Sequence, residues 1–241
     1  MSRNDYGVSV LQTLQYLIRN GYFGLICREI RRRIYSDEYF LLLYREITLP
    51  GQIPVPKIHV TLRTMKSEDI PWLLDFNQKG MKDEDIQERI RILRILKSGL
   101  QKCYVAETDE GIPCHISWWV NSSQNPIIKE FYGGGILPLA ADEVLVEGAF
   151  TLEAFQRLGI QKWRRLKFFE KSLAIGAKRV INYVRCDNLP SLRSCRNAGY
   201  KLFMIRKDKW RIFRRSFIFK PVPEGTLYPL ENGQIKALLQ N

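Results

Sequence analysis

Two stretches of the chain hold residues whose types and spacing could do chemistry. The first is Gln156-Arg157-Leu158-Gly159-Ile160-Gln161-Lys162, set between an apolar run and an amphipathic run. A turn that opens a helix leaves several backbone N–H groups unpaired and aimed at one spot, which suits a pyrophosphate. Gly159 lets the backbone approach a ligand with no Cβ in the way, and Lys162 and Arg165 add charge nearby. Taken alone this is weak, because a single glycine at a helix start is usually just a turn. The second stretch holds three carboxylates, Glu143, Glu147 and Glu153, in and just beyond one apolar run. Strand alternation puts Leu145, Glu147 and Ala149 on one side and Val144, Val146 and Gly148 on the other. Apolar neighbours would raise the Glu147 pKa towards neutrality, where a carboxylate removes protons well. A carboxylate merely paired with an arginine is the plainer alternative. His115 is the reserve base, or else a packed core histidine.

The elements that must position these groups are legible in part. Residues 1–50 read as two helical pieces: Val8, Leu11, Leu14, Leu17 and Ile18 at helical spacing, then a helix from Phe23 to about Ile34 carrying Arg28, Arg31, Arg32 and Arg33. The apolar run 39–44 fits a strand or a helix end. Three prolines within residues 50–56 mark a connector. A strand over 58–62, a helix capped by Ser67-Glu68-Asp69 and a helix over 83–97 follow. Strands over 102–107 and 114–120 are joined across Asp109-Glu110-Gly111, a hairpin signal. Residues 121–141 read as an irregular insertion, and 144–152 as a strand. In the helix over 159–175, Ile160, Trp163, Leu166, Phe169 and Leu173 form one apolar stripe. Its other face carries Lys162, Arg164, Arg165, Lys167 and Lys171. A strand over 180–184, a short helix over 190–197 and strands over 201–205 and 210–219 complete an α/β domain on one mixed sheet.

The strand, turn and helix around Gly159 resemble the acyl-CoA signature of the GNAT superfamily, [Q/R]-x-x-G-x-[G/A], which Gln156 and Gly159 match. Asn188, Ser191, Gly199 and Tyr200 sit at the spacing of a second family landmark, N-x-x-[S/A] followed by G-[F/Y]. Two spaced motifs in the right order of elements are more specific than either one. The resemblance covers about residues 57–220. It implies a mixed, mostly antiparallel sheet flanked by helices, with a helical N-terminal extension over 1–56 and a tail over 221–241. It also implies acetyl-CoA or another acyl-CoA as co-substrate, bound in a cleft between two splayed strands. The donor would contact Phe150, Thr151, Leu152, Arg157, Leu158, Gly159, Ile160, Gln161, Lys162, Asn188 and Ser191. The reaction implied is transfer of the acyl group to an amine, with Glu147 taking the amine's proton. The sequence departs from the family at Gln161, where Gly or Ala is preferred. It departs again at Cys195, where the family often places a tyrosine that protonates the leaving thiolate. A thiol with a pKa of roughly 8.5 could take that role; the plainer alternative is that Cys195 is a small buried helix residue with no chemical role.

Composition narrows the rest. A 45% apolar fraction supplies a core, and the net charge of +13 asks for an anionic partner. No zinc-finger or RNP-like motif supports nucleic acid. An acidic acyl carrier protein as donor is the second reading. A non-catalytic module, its N-terminal segment lying on an anionic membrane, is the third; docking of that segment on the domain or on a second copy in a homodimer is preferred. The acceptor expected is a small-molecule amine. Five cysteines without a CxxC, and two histidines, give no metal site. The cysteine pattern, with no secretory signal and no apolar run long enough to span a bilayer, points to the cytoplasm.

Overall fold

The computed structural model describes residue 18 and residues 22–48, 55–76 and 81–240. The helix expected around residues 8–17, the Asn20-Gly21 break and most of the proline connector lie outside them.

Helix α1 (Phe23–Ile34) runs straight into strand β1 (Tyr35–Glu46). Then come β2 (Val60–Thr64), the short α2 (Asp69–Leu73), α3 (Asp83–Lys97), β3 (Cys103–Thr108) and β4 (Pro113–Asn121). A 3-10 turn (Ser122–Gln124) leads into α4 (Asn125–Tyr132), followed by β5 (Glu143–Thr151), a second 3-10 turn (Glu153–Phe155) and α5 (Ile160–Leu173). The chain closes with β6 (Arg179–Arg185), α6 (Leu189–Asn197), β7 (Lys201–Arg211), β8 (Arg214–Pro221) and α7 (Asn232–Gln240).

All eight strands form one sheet in the order β2-β3-β4-β5-β6-β1-β7-β8, and only β5 and β6 pair in parallel. The fold is therefore α/β, a mixed and mostly antiparallel sheet flanked by helices. Strand β1 pairs antiparallel with β6 on one side and β7 on the other. Leu41, Leu42 and Leu43 are all fully buried, as a central strand covered on both faces requires. The N-terminal segment thus corrects the expected boundary at residue 56. It is helical over α1, but its next twelve residues are a central strand of the sheet. The C-terminal segment is no loose tail either: Ile235 is fully buried, and the Tyr228 hydroxyl donates to Tyr200 O at 2.8 Å.

Two layers of helix cover the sheet. On one face Ile92, Leu93 and Ile95 of α3 and Ile128 of α4 pack on Trp118, Leu145 and Ile181. On the other, Phe168 and Phe169 of α5, Cys195 of α6 and Ile235 of α7 pack on Leu41, Val144, Val180 and Ile205. Helix α4 replaces the irregular insertion expected at 121–141. Pro126 stands in its first turn, and Gly133, left-handed at φ 58°, ends it. The cap expected at Ser67-Glu68-Asp69 works differently. Asp69 is buried, accepts the Lys66 amide at 2.7 Å and holds Arg63 through both oxygens. Among the described residues no helix is long and apolar enough to cross a membrane.

Candidate active site at the parallel strand pair

The parallel ladder between β5 and β6 is short. It joins Glu143, Val144 and Leu145 to Arg179, Val180 and Ile181, and there it stops. Both strands continue, β5 to Thr151 and β6 to Arg185, each held by its other neighbour. Past Leu145 and Ile181 the sheet therefore opens into a gap between two strands.

Strand β5 also carries a bulge beside the gap. Three residue steps from Glu147 to Phe150 face two steps from Trp118 to Ile116 on β4. Gly148 makes this possible at φ +63°, and a Cβ there would lie 2.5 Å from Trp118 Cε3. The bulge corrects the simple alternation beyond residue 147. Phe150, expected opposite Leu145, joins it in the same core cluster, and so does Leu152. Their side chains are packed away, and the Leu152 amide and carbonyl are paired with Cys114 O at 3.1 Å and the Phe155 amide at 2.9 Å. Thr151 is held by His115, Nδ1 to Oγ1 at 2.7 Å.

The start of α5 has the features that an anion needs. Gly159 is its left-handed N-cap at φ +85°, and Arg157 two residues earlier is also left-handed at φ 61°. No side chain caps the helix, and the first amide with an intrahelical partner is Trp163, which donates to Gly159 O. The amides of Ile160, Gln161 and Lys162 have no partner among the described residues. Ile160 and Trp163 anchor this turn against Val60, Ala106 and Cys114. The Lys57 amide clamps the loop by donating to Leu158 O at 2.9 Å. Arg157, Gln161 and Lys162 are exposed, so Gln161 does not crowd the loop.

Asn188 and Ser191 lie at the end of β6, where Asn188 Oδ1 accepts the Ser191 amide at 3.1 Å. That is an N-cap, and it explains the spacing of these two residues by the start of α6. Cys195, one helix turn further on, is 2% exposed and accepts a weak hydrogen bond from Asn182 Nδ2 at 3.6 Å.

Glu147 occupies the opposite face. Its carboxylate accepts from Arg91 Nη1 of α3 at 2.7 Å, and Arg91 also binds Glu88. With 13% of its side chain exposed, burial pushes the Glu147 pKa up, and Arg91 opposes that shift. Tyr132 of α4 lies close enough to feel the charges of Glu147 and Arg91, and its buried hydroxyl has no partner. His115 is fully buried, and burial with the nearby Arg164 charge holds it neutral, well below the usual histidine range. The sheet thus separates the two candidate catalytic residues, Glu147 with α3 on one face and Cys195 with α5 and α6 on the other.

Sequence reasoning missed Arg91 and the burial of Arg164; Tyr132 it offers only as one of four aromatics, with Trp118, Trp119 and Phe131, that suit a site or the core equally. Arg164 and Arg165 were expected on the outer face of α5, yet both are buried. Arg165 donates to Ser194 O at 3.2 Å and to Ser194 Oγ at 3.0 Å, which ties α5 to α6. The signal lay in the period: Trp163, Phe168, Phe169 and Ser172 set the buried arc, and Arg164 falls inside it.

No protein-family model and no curated protein matches the sequence. Solved structures do match it in fold. A fungal multi-domain β-N-acetylglucosaminidase, described as containing a GCN5-related glucosamine N-acetyltransferase region, matches 83% of this chain with 23% of its own length, at 12% identity and a TM-score of 0.51. A GNAT-family acetyltransferase from Novosphingobium aromaticivorans covers 72% of this chain at 10% identity, with a TM-score of 0.47. A Drosophila protein covers 80% at 12% identity, with a TM-score of 0.48. The chain spans 64% and 59% of the length of these last two. At such identities the likeness is one of fold alone, shared with solved acetyltransferases over most of this chain.

Proposed function

We propose that this chain, with its GNAT-like fold, is an N-acyltransferase that moves an acetyl or other acyl group from coenzyme A to an amine. The observation that carries the reading is the gap in the parallel pair, which opens beside a helix start with unpaired amides. The arrangement fits the donor. The amides of Ile160, Gln161 and Lys162 would hold its pyrophosphate, with Arg157 and Lys162 at the rim. The edge of β5 that β6 leaves past Leu145 would align the pantetheine arm. When bound, coenzyme A supplies the acyl group as a thioester.

The chain's own residues divide the remaining work. An ammonium has no lone pair, so the acceptor must lose a proton before it attacks. Glu147, buried beside the bulge, would take that proton, and Arg91 orients its carboxylate. The acceptor would therefore approach from the face of α3 and α4, where Tyr132 has a hydroxyl free to position it.

Isothermal titration of the purified protein with acetyl-CoA tests the donor half of this reading. The wild type should bind, and Gly159→Val should weaken binding at least about tenfold, or roughly 1.4 kcal/mol. A Cβ on Gly159 would stand 3.5 Å from Pro56 Cα, an ordinary contact, so the left-handed φ of +85° is the first source of strain in the variant. Equal affinity in a folded Gly159→Val protein would remove the site from the start of α5.

A further inference from the structure

Arg164 is in an unusual position for an arginine. It is 3% exposed, and among the described residues no carboxylate, carbonyl or hydroxyl accepts from it. Its Nε is buried without a partner, and its guanidinium stacks on Phe168 at 5.0 Å. A buried cation with no counter-charge costs several kcal/mol on the order of the desolvation of an ion, so stability alone does not account for this residue.

Its surroundings say what it faces. Phe168, one turn along the same stripe of α5, packs on the sheet, so Arg164 points at the sheet and not at solvent. Its charge acts on His115, which is bound to Thr151 at the end of β5. It also acts on Cys195 and Tyr200, beyond β6. His115 is bound to Thr151 of β5 and Cys195 to Asn182 of β6, so the neighbours of Arg164 place it on the α5 face between these two strands. Several of these groups also lack partners: His115 Nε2, Asn182 Oδ1 and the Tyr200 hydroxyl are all buried and unpaired. The other charged neighbour, Arg165, is a second cation, so among the described residues no anion neutralises Arg164.

We propose that Arg164 receives the negative charge of the departing coenzyme A sulfur. The inference rests on the reading of the gap as an acyl-CoA site. The argument is one of sides. Glu147 lies on the face of α3, so the amine attacks from there. Arg164 lies on the face of α5, so the sulfur expelled from the tetrahedral intermediate has a cation on the side of the gap that the amine does not occupy. As the new N–C bond forms, the C–S bond breaks and its electron pair goes to sulfur. The amine's proton passes to Glu147 and on to water, and the guanidinium compensates the thiolate until that sulfur is protonated or the product departs. In this scheme the cation does the work that a proton donor at Cys195 would otherwise do, and a thiol at 195 needs no acidic role. Burial together with Arg165 lowers the Arg164 pKa to about 9, so the residue is still a cation at neutral pH.

The test uses coenzyme A itself and needs no acceptor. Thiol ionisation in the saturated complex is followed by ultraviolet absorbance, with the desulfo-coenzyme A complex as blank for the protein's own cysteines. A free thiol titrates at roughly 8.5. In the wild-type complex its pKa should fall by about one unit or more, a tenfold gain in ionisation. In the Arg164→Met complex it should stay at or above the free value, and Arg164→Lys should retain part of the shift. Calorimetric affinity and melting temperature establish that the variants are folded and loaded. Equal thiol pKa values in loaded wild type and Arg164→Met would overturn the proposal while leaving the donor site standing. Failure of the folded wild type to bind coenzyme A would overturn both.

Discussion

Glu147 and Arg164 are charges on opposite faces of the same sheet, each largely removed from water, and the fold handles them differently. Glu147 meets a guanidinium at 2.7 Å, and that guanidinium is shared with Glu88. Arg164 meets an aromatic ring, a neutral histidine and another arginine. One face is electrically settled in the free protein, whereas the other carries a charge without its opposite. A settled carboxylate is ready to exchange a proton, and an unsettled cation is ready to accept an anion. On the proposed reading, the first face would serve the acceptor amine and the second the departing thiolate.

Removing the carboxylate should give the largest effect. Glu147→Gln should lower kcat by roughly 10²-fold, the usual scale for a general base, with donor affinity unchanged. The ascending limb of the wild-type rate against pH should lie above the ordinary carboxyl value of 4.5, because burial raises the Glu147 pKa and only the ionised form takes the proton. Wild-type turnover in Glu147→Gln across the pH range would place the base elsewhere.

A matched pair of substitutions sharpens the contrast through stability. Arg91→Met should destabilise the fold by about 1–3 kcal/mol, since it leaves the buried Glu147 carboxylate without its partner. Arg164→Met should be neutral or stabilise by on the order of 1 kcal/mol, since it removes an uncompensated charge and keeps the packing on Phe168. Denaturant midpoints measure both. A loss in both variants would mean that Arg164 has a partner after all.

What was legible in the sequence follows from which signals are local. Helix α3 was read over its full length, because an acidic first turn and a regular apolar period mark it out. The hairpin between β3 and β4 was read from Asp109-Glu110-Gly111. Strand β1 was left open between strand and helix. A run buried on both faces has no alternation, and its partners on β6 and β7 lie far along the chain. The bulge at Gly148 was invisible because its cause, the ring of Trp118, arrives from another strand. In the site, the turn at Gly159 was visible as a motif and Glu147 as an isolated carboxylate. Arg164 was misplaced because charge was taken to mean solvent. That rule fails where a helix is buried on a wide arc between a sheet and a neighbouring helix.

The central claim is that the gap past Leu145 and Ile181, with the unpaired amides at the start of α5, is an acyl-CoA site. Titrating isotopically labelled protein with acetyl-CoA and following the backbone amide resonances tests it most directly. The account predicts that the amides of Ile160, Gln161 and Lys162 shift most, together with residues of β5 beyond the bulge. Saturable shifts confined to other surfaces, or none at ligand concentrations that saturate such sites, would contradict it.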